Sequence, residues 1–243
     1  MLAAVAVLRP SWLIRGLLAP LVPEVLFCAG GGRRELALTI DDGPTAPRSG
    51  APSSLELLAL LRELQLPATF FLIGEHLRRG DAGFVRAALA DGHGIGNHMD
   101  RDGVSACLRP QPFREQFEAT DRELRRRAGS ETLELRWFRP GGGWFHPRML
   151  RSVKACGRRL VLGSVFPWDT VHPPLDWMVR FVLANVHPGA ILVLHDRPDT
   201  LDATLALLRA VVPELRRRGY RFVSLDRLQT GGDPSEPSAA PLS

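Results

Sequence analysis

The chain has 243 residues, 45% of them hydrophobic, with a formal net charge of +5 and a pI of about 10. That length and apolar content suit one large globular domain and exclude a fibrous or wholly disordered chain. The positive charge is almost all arginine, in scattered clusters such as Arg125-Arg126-Arg127 and Arg216-Arg217-Arg218; none interleaves with aromatic residues, so no nucleic-acid partner is expected.

Residues Met1 to Phe27 are apolar, but Arg9, Pro10, Arg15, Pro20 and Pro23 interrupt them. No unbroken run of 18 apolar residues exists, so no transmembrane helix is expected. Met1 to Leu8 has no positive residue ahead of it and makes no clear signal peptide, which leaves a soluble protein as the expectation. Leu13, Ile14, Leu17, Leu18 and Leu21 keep helical spacing. They predict a short amphipathic helix that packs on the domain or makes peripheral contact with a membrane surface, packing being favoured. The chain then divides into an N-terminal packing segment (1–34), a main domain (35–228) and a Gly/Pro/Ser-rich tail (229–243) expected to be disordered. Cys28, Cys107 and Cys156 are odd in number and far apart, so they read as small buried thiols rather than a disulfide framework.

Leu36 to Ile40 form an apolar run that predicts a buried strand, closed by Asp41-Asp42-Gly43-Pro44. Two adjacent carboxylates are costly unless a positive group lies between them, and a metal ion would meet that need. Ser53 or Ser54 caps the next helix, with Glu56 in its first turn. Ala68 to Ile73 is a strand, Gly83 to Ala90 a helix, Gly94 to His98 a short strand, and Gln111 to Ala128 a long helix. Leu135 to Arg139 is a strand before Gly141-Gly142-Gly143, and Pro147 to Ala155 a helix with Pro in its first turn. Leu160 to Ser164, Ala190 to Leu194 and Tyr220 to Leu225 are strands; Leu175 to Val186 and Leu201 to Arg218 are helices. About seven strands alternating with helices fit an α/β barrel or a doubly wound sheet.

Five predicted strand ends carry reactive polar groups: Asp41-Asp42, His98, Arg139, Asp169 and His195. In a parallel barrel the strand C-termini converge on one face, so five such ends amount to one site. His98 and Asp102 have the i, i+4 spacing of neighbours on a helical turn. Together with Asp42 they would make an N/O donor set that leaves positions open for water and substrate, as a catalytic divalent ion requires. Arg139 can hold Asp41 through a bidentate contact, and the glycine turn after it can offer backbone N–H groups to an anion. His195, at a buried strand end near a carboxylate such as Asp169, is suited to general acid catalysis.

These stretches, in this order, resemble the polysaccharide deacetylase family (carbohydrate esterase family 4, the NodB homology domain). Thr39-Ile40-Asp41-Asp42-Gly43-Pro44, Ala68-Thr69-Phe70-Phe71, Gly92-His93-Gly94-Ile95-Gly96-Asn97-His98, Phe138-Arg139-Pro140 and Val193-Leu194-His195-Asp196 each match a motif of that family, over about Leu36 to Leu228. The resemblance implies a distorted (β/α)7 barrel that removes acetyl groups, N-acetyl foremost, from a carbohydrate. It implies one divalent ion, Zn²⁺ with Co²⁺, Mn²⁺ or Ni²⁺ as alternatives, on Asp42 and His98. It makes Asp41 the general base, Arg139 its orienting partner, His195 the general acid and Asp169 a partner of the acid or the arginine. Leu194, Gly142 and Trp144 would bind substrate. Three departures stand out. Asp102 replaces the family's second metal histidine, and we expect it to serve as the third ligand. Gly141-Gly142 replace Pro-Tyr, which opens the substrate floor. Thr170 and Phe166 stand where the family has Trp and Asp. The departures leave two further readings: a catalytically silent carbohydrate-binding module, and a hydrolase of another small-molecule C–N bond.

Overall fold

The computed structural model describes residues 10–30 and 32–230; the expectations for residues 1–9 and for the tail beyond Thr230 lie outside it. The sheet is entirely parallel. Its strands are β1 (Val25–Leu26), β2 (Glu35–Asp41), β3 (Ala68–Leu72), β4 (Gly94–Asn97), β5 (Trp137–Phe138), β6 (Arg159–Val161), β7 (Ala190–His195) and β8 (Arg221–Phe222), in the order β1-β6-β5-β4-β3-β2-β7, with β8 on β2. Past the end of β6, Ser164 N–H donates to Ile191 O (3.1 Å) and Val193 N–H to Val165 O (2.9 Å). These bonds draw the two ends of the curled sheet together. The result is a distorted (β/α)7 barrel, as expected.

The helices are α1 (Pro10–Leu13), running through a π-helical stretch Ile14–Leu18 into α2 (Ala19–Leu21), then α3 (Ser54–Glu63), α4 (Gly74–Arg79), α5 (Phe84–Ala90), α6 (Pro110–Ala128), α7 (Pro147–Ala155), α8 (Leu175–Asn185), α9 (Leu201–Arg217) and α10 (Leu225–Thr230). Among the described residues no helix is long and apolar enough to cross a membrane. Ser53 and Glu56 form the expected capping box at α3.

Alternation along β2 sets the layers. Leu36, Leu38 and Ile40 face the helices and join Leu57, Leu61, Phe70 and Leu208 in the main core. Ala37 packs inside the curl with Phe71, Trp137, Val161 and Ile191. Thr39 and Asp41 share Ala37's face, because strand side chains repeat every second residue. Asp41 therefore ends the strand pointing into the barrel mouth.

Four expectations change. Val25–Leu26, placed in the N-terminal packing segment, pairs with β6 and belongs to the sheet. The N-terminal helix packs through Ser11 and Ile14, while Trp12, Leu17 and Leu21 are exposed. Gln229 and Thr230, assigned to the tail, are the last residues of α10. Cys107 and Cys156 are exposed rather than buried, because they lie on a loop and at a helix end outside the core.

Candidate active site

Asp41 is the last residue of β2, and Asp42 follows in a left-handed conformation at φ 71°. That turn breaks the strand's alternation, so consecutive carboxylates share one site. Both are buried. The positive groups that this requires come from three other strand ends. Arg139, just past β5, donates from Nη1 to Asp41 Oδ1 (2.6 Å) and to Thr39 Oγ1 (2.9 Å), and from Nε to Val161 O (3.2 Å). Its guanidinium lies 4.2 Å from the centroid of the Phe71 ring. Hence Arg139 holds Asp41 as expected, but through one nitrogen rather than a bidentate contact, while Nε goes to a strand carbonyl. Its Nη2 has no hydrogen-bond partner among the described residues.

His98 follows β4. Its Nδ1–H donates to Arg139 O (2.7 Å), since a carbonyl can only accept, and Nε2 lies 3.2 Å from Asp42 Oδ1 and 4.0 Å from Asp41 Oδ2. Burial lowers the His98 pKa, but Asp41 and Asp42 outweigh it and leave it raised. Burial likewise pushes the Asp42 carboxyl up, and the hydrogen bond from His98 with the charges of His98, His195 and Arg197 outweigh that, holding Asp42 well below the usual carboxylate range. His76 Nδ1–H donates to Asp42 O (2.5 Å) and fixes the backbone turn.

On the opposite side His195 ends β7. Asp169 accepts from His195 N (2.9 Å) and from Nδ1 (2.9 Å to Oδ1), so Asp169 partners the histidine and not the arginine. Nε2 is the ring nitrogen left for chemistry. Burial depresses the His195 pKa, yet the Asp169 hydrogen bond and charge, with Asp41 and Asp42, raise it to about 9. Next to it Asp196 is buried against Ser54 Oγ; burial pushes its carboxyl up to about 6.

The residues fit a divalent ion in part. The 3.2 Å between His98 Nε2 and Asp42 Oδ1 is the edge expected for two ligands about 2.0–2.1 Å from a shared ion. The Nδ1–H bond to a carbonyl fixes the tautomer that turns Nε2 toward it. Among the described residues, however, no three His, Cys, Asp or Glu side chains are grouped to hold a metal. Residues 98–104 form no helix: Met99 has φ 70° and Gly103 φ 146°. The i, i+4 spacing thus does not place Asp102 beside His98. The Asp102 carboxylate, half exposed, instead lies 3.2 Å from Arg197 Nη1, and the same nitrogen lies 3.4 Å from Asp42 Oδ2. Sequence reasoning misses Arg197; its place two residues after His195 is the one signal that points to it.

Of the expected substrate residues, Trp144 is exposed beside the mouth and Gly142 adopts φ 74° with Val104 against it. Leu194 is fully buried in the main core. Trp168, Val171 and Val104 are further exposed apolar side chains on the loops after β4 and β6.

The parallel barrel thus gathers paired carboxylates, an arginine and a carboxylate-backed histidine at its strand ends, groups suited to acid–base chemistry. The sequence profile described as polysaccharide deacetylase matches residues 29–161. The chain is 34% identical to the chitooligosaccharide deacetylase of Rhizobium leguminosarum bv. trifolii, over 84% of this chain and 96% of that protein. It is 31% identical to a peptidoglycan-N-acetylglucosamine deacetylase of Bacillus cereus, over 79% and 87%. Among solved structures it superposes on a peptidoglycan N-acetylglucosamine deacetylase in complex with a naphthalenyl N-oxidanyl-benzamide at TM-score 0.78 and 28% identity, covering 85% of this chain and 93% of that one. A family 4 acetyl xylan esterase from Clostridium thermocellum in complex with a cobalt ion gives 0.70 and 27%, covering 80% and 89%. The chain belongs to the polysaccharide deacetylase family. It is a carbohydrate deacetylase-type hydrolase, acting on carbon–nitrogen but not peptide bonds.

Proposed function

We propose that this protein removes N-acetyl groups from an acetylated carbohydrate with the help of one divalent ion, Zn²⁺ or else Co²⁺, Mn²⁺ or Ni²⁺, at Asp42 and His98. The observation that carries the reading is the presence of two pre-oriented proton-transfer groups beside those residues: Asp41 held by Arg139, and His195, its register partner on the adjacent strand, held by Asp169. Two of the relatives named above are a chitooligosaccharide deacetylase and a peptidoglycan-N-acetylglucosamine deacetylase, which supports the N-acetyl linkage. The cobalt ion in the acetyl xylan esterase supports a divalent metal.

When bound, the ion acidifies water and polarises the acyl oxygen. Arg139 occupies Asp41 Oδ1, so Asp41 accepts the water proton at Oδ2 as general base. The Gly142 N–H, on a turn open to the mouth, is the backbone donor for the tetrahedral oxyanion. His195, protonated at neutral pH, delivers a proton from Nε2 to the leaving nitrogen. Trp144 offers the sugar an apolar platform. Leu194, being buried, shapes the acyl pocket from behind rather than as an exposed wall. The catalytic unit spans 35–228 together with β1.

The test is incubation with N-acetylglucosamine oligomers and, separately, acetylated xylan. Free amine formed on the first and little acetate from the second supports the N-acetyl reading; acetate from xylan alone overturns it. A silent carbohydrate-binding module is the second reading, favoured by the engagement of Asp102 with Arg197. Oligomer binding with neither amine nor acetate released supports it.

A further inference from the structure

Arg197 is a charged group of the mouth that the reaction described above does not use. It sits two residues past His195, and three carboxylates surround its guanidinium. Nε lies 3.3 Å from Asp199 Oδ1, and Nη1 lies 3.4 Å from Asp42 Oδ2 and 3.2 Å from Asp102 Oδ2. The Nη1 distances are longer than the 2.7–2.9 Å of a tight charge-assisted hydrogen bond. The side chain is one-third exposed, so it can swing outward without unpacking the core. Asp42 thus divides its oxygens between two cationic groups, Oδ1 toward His98 and Oδ2 toward Arg197. Asp102 has its carboxylate on the same nitrogen, while its backbone N–H donates to Glu75 Oε1 (3.3 Å).

One cationic nitrogen therefore lies between Asp42 and Asp102, on the Oδ2 side of Asp42, while His98 faces Oδ1. A guanidinium on one oxygen of that carboxylate and a divalent ion on the other oppose each other, because like charges a few ångströms apart in a partly buried site repel strongly. Resting on the metal-assisted reading above, we propose that Arg197 is a resident, displaceable counter-charge that competes with the metal ion for Asp42 and Asp102 and so sets the metal affinity of the site. Asp102 then becomes a ligand only when Arg197 leaves it. Asp199, two residues along, is the carboxylate that receives the displaced guanidinium. Arg197 is a positioning residue; it acts through Asp42 and Asp102.

The test is Co²⁺ binding to the full chain, followed by the visible spectrum of the bound ion and by competition with a chelator of known affinity. Arg197→Gln should bind Co²⁺ roughly tenfold more tightly than the wild type, or better, because the site gains one net negative charge. Arg197→Lys, which keeps the charge, should stay near the wild type. Adding Asp102→Asn to Arg197→Gln should abolish the gain. Unchanged or weaker Co²⁺ binding in Arg197→Gln overturns the competition. If in that case the wild type binds Co²⁺ and Asp42→Ala does not, the metal-assisted function stands without it. If neither wild type nor Arg197→Gln binds Co²⁺, both fall together.

Discussion

Replacing Asp169 by asparagine removes the charge that keeps His195 protonated. The folded chain holds the His195 pKa near 9, against an ordinary value of 6.5. A histidine with a raised pKa contributes stability that is fully present below the unfolded value and lost as pH rises through the folded one. At pH 7 the displacement corresponds to about 2–3 kcal/mol, and near pH 10 to almost nothing. The amide oxygen of the new side chain can still accept from the His195 backbone N–H, so the strand end keeps its shape while the imidazolium loses its main partner. We expect the His195 pKa to fall by at least about one unit. Asp169→Asn should therefore cost on the order of 1–2 kcal/mol at pH 7 and much less near pH 10. Urea unfolding at both pH values reads the stability, and NMR titration of the imidazole reads the pKa. In turnover, the basic limb of the pH profile should move to lower pH by the same amount. An equal stability cost at both pH values, or a His195 pKa that stays near 9, refutes the coupling.

Arg139→Ala leaves the buried Asp41 without its partner and should cost about 3–5 kcal/mol in chemical denaturation, far more than loss of a surface ion pair. Phe70, fully buried edge-on to Phe84 with centroids 5.3 Å apart, should cost about 3–5 kcal/mol as Phe70→Ala by the same assay. A Cβ on Gly141 would meet the Gly103 carbonyl at 2.0 Å. Gly141→Ala should therefore displace the loop carrying Asp102 and lower turnover with an unchanged far-UV spectrum. Asp196, raised to about 6 by burial from an ordinary 3.8, keeps a proton that the unfolded chain releases. Wild-type stability should decline as pH rises across roughly 4–6, and Asp196→Asn should flatten that slope in thermal unfolding.

The main elements of the fold were legible because its strands are apolar runs ended by Gly, Pro or Asp, and its long helices keep one apolar face. Short pairings were not. Val25–Leu26 has two residues in the sheet, too few for any period, and its role depends on β6, which lies more than a hundred residues later. The Asp41–Arg139 and His195–Asp169 pairs were legible as neighbours because they lie at or near strand ends, which the parallel topology gathers on one face. Asp102 shows where spacing misleads. The i, i+4 rule holds only on a helix, and the positive φ of Met99 and Gly103 rules one out. Arg197 escapes notice because a lone arginine after a strand reads as solvated, and only tertiary structure brings Asp42 and Asp102 to it.

The central claim is that Asp41, set by Arg139 beside the Asp42–His98 pair, is the base of a deacetylation reaction. Its most direct test is acetate release from an N-acetylglucosamine oligomer, with Co²⁺ supplied, by wild type and Asp41→Asn side by side, each checked for bound ion. The wild type should release acetate and amine in equal amounts, and Asp41→Asn should lose at least about a hundredfold in rate with the ion still bound. Acetate release at the wild-type rate by Asp41→Asn would contradict the claim.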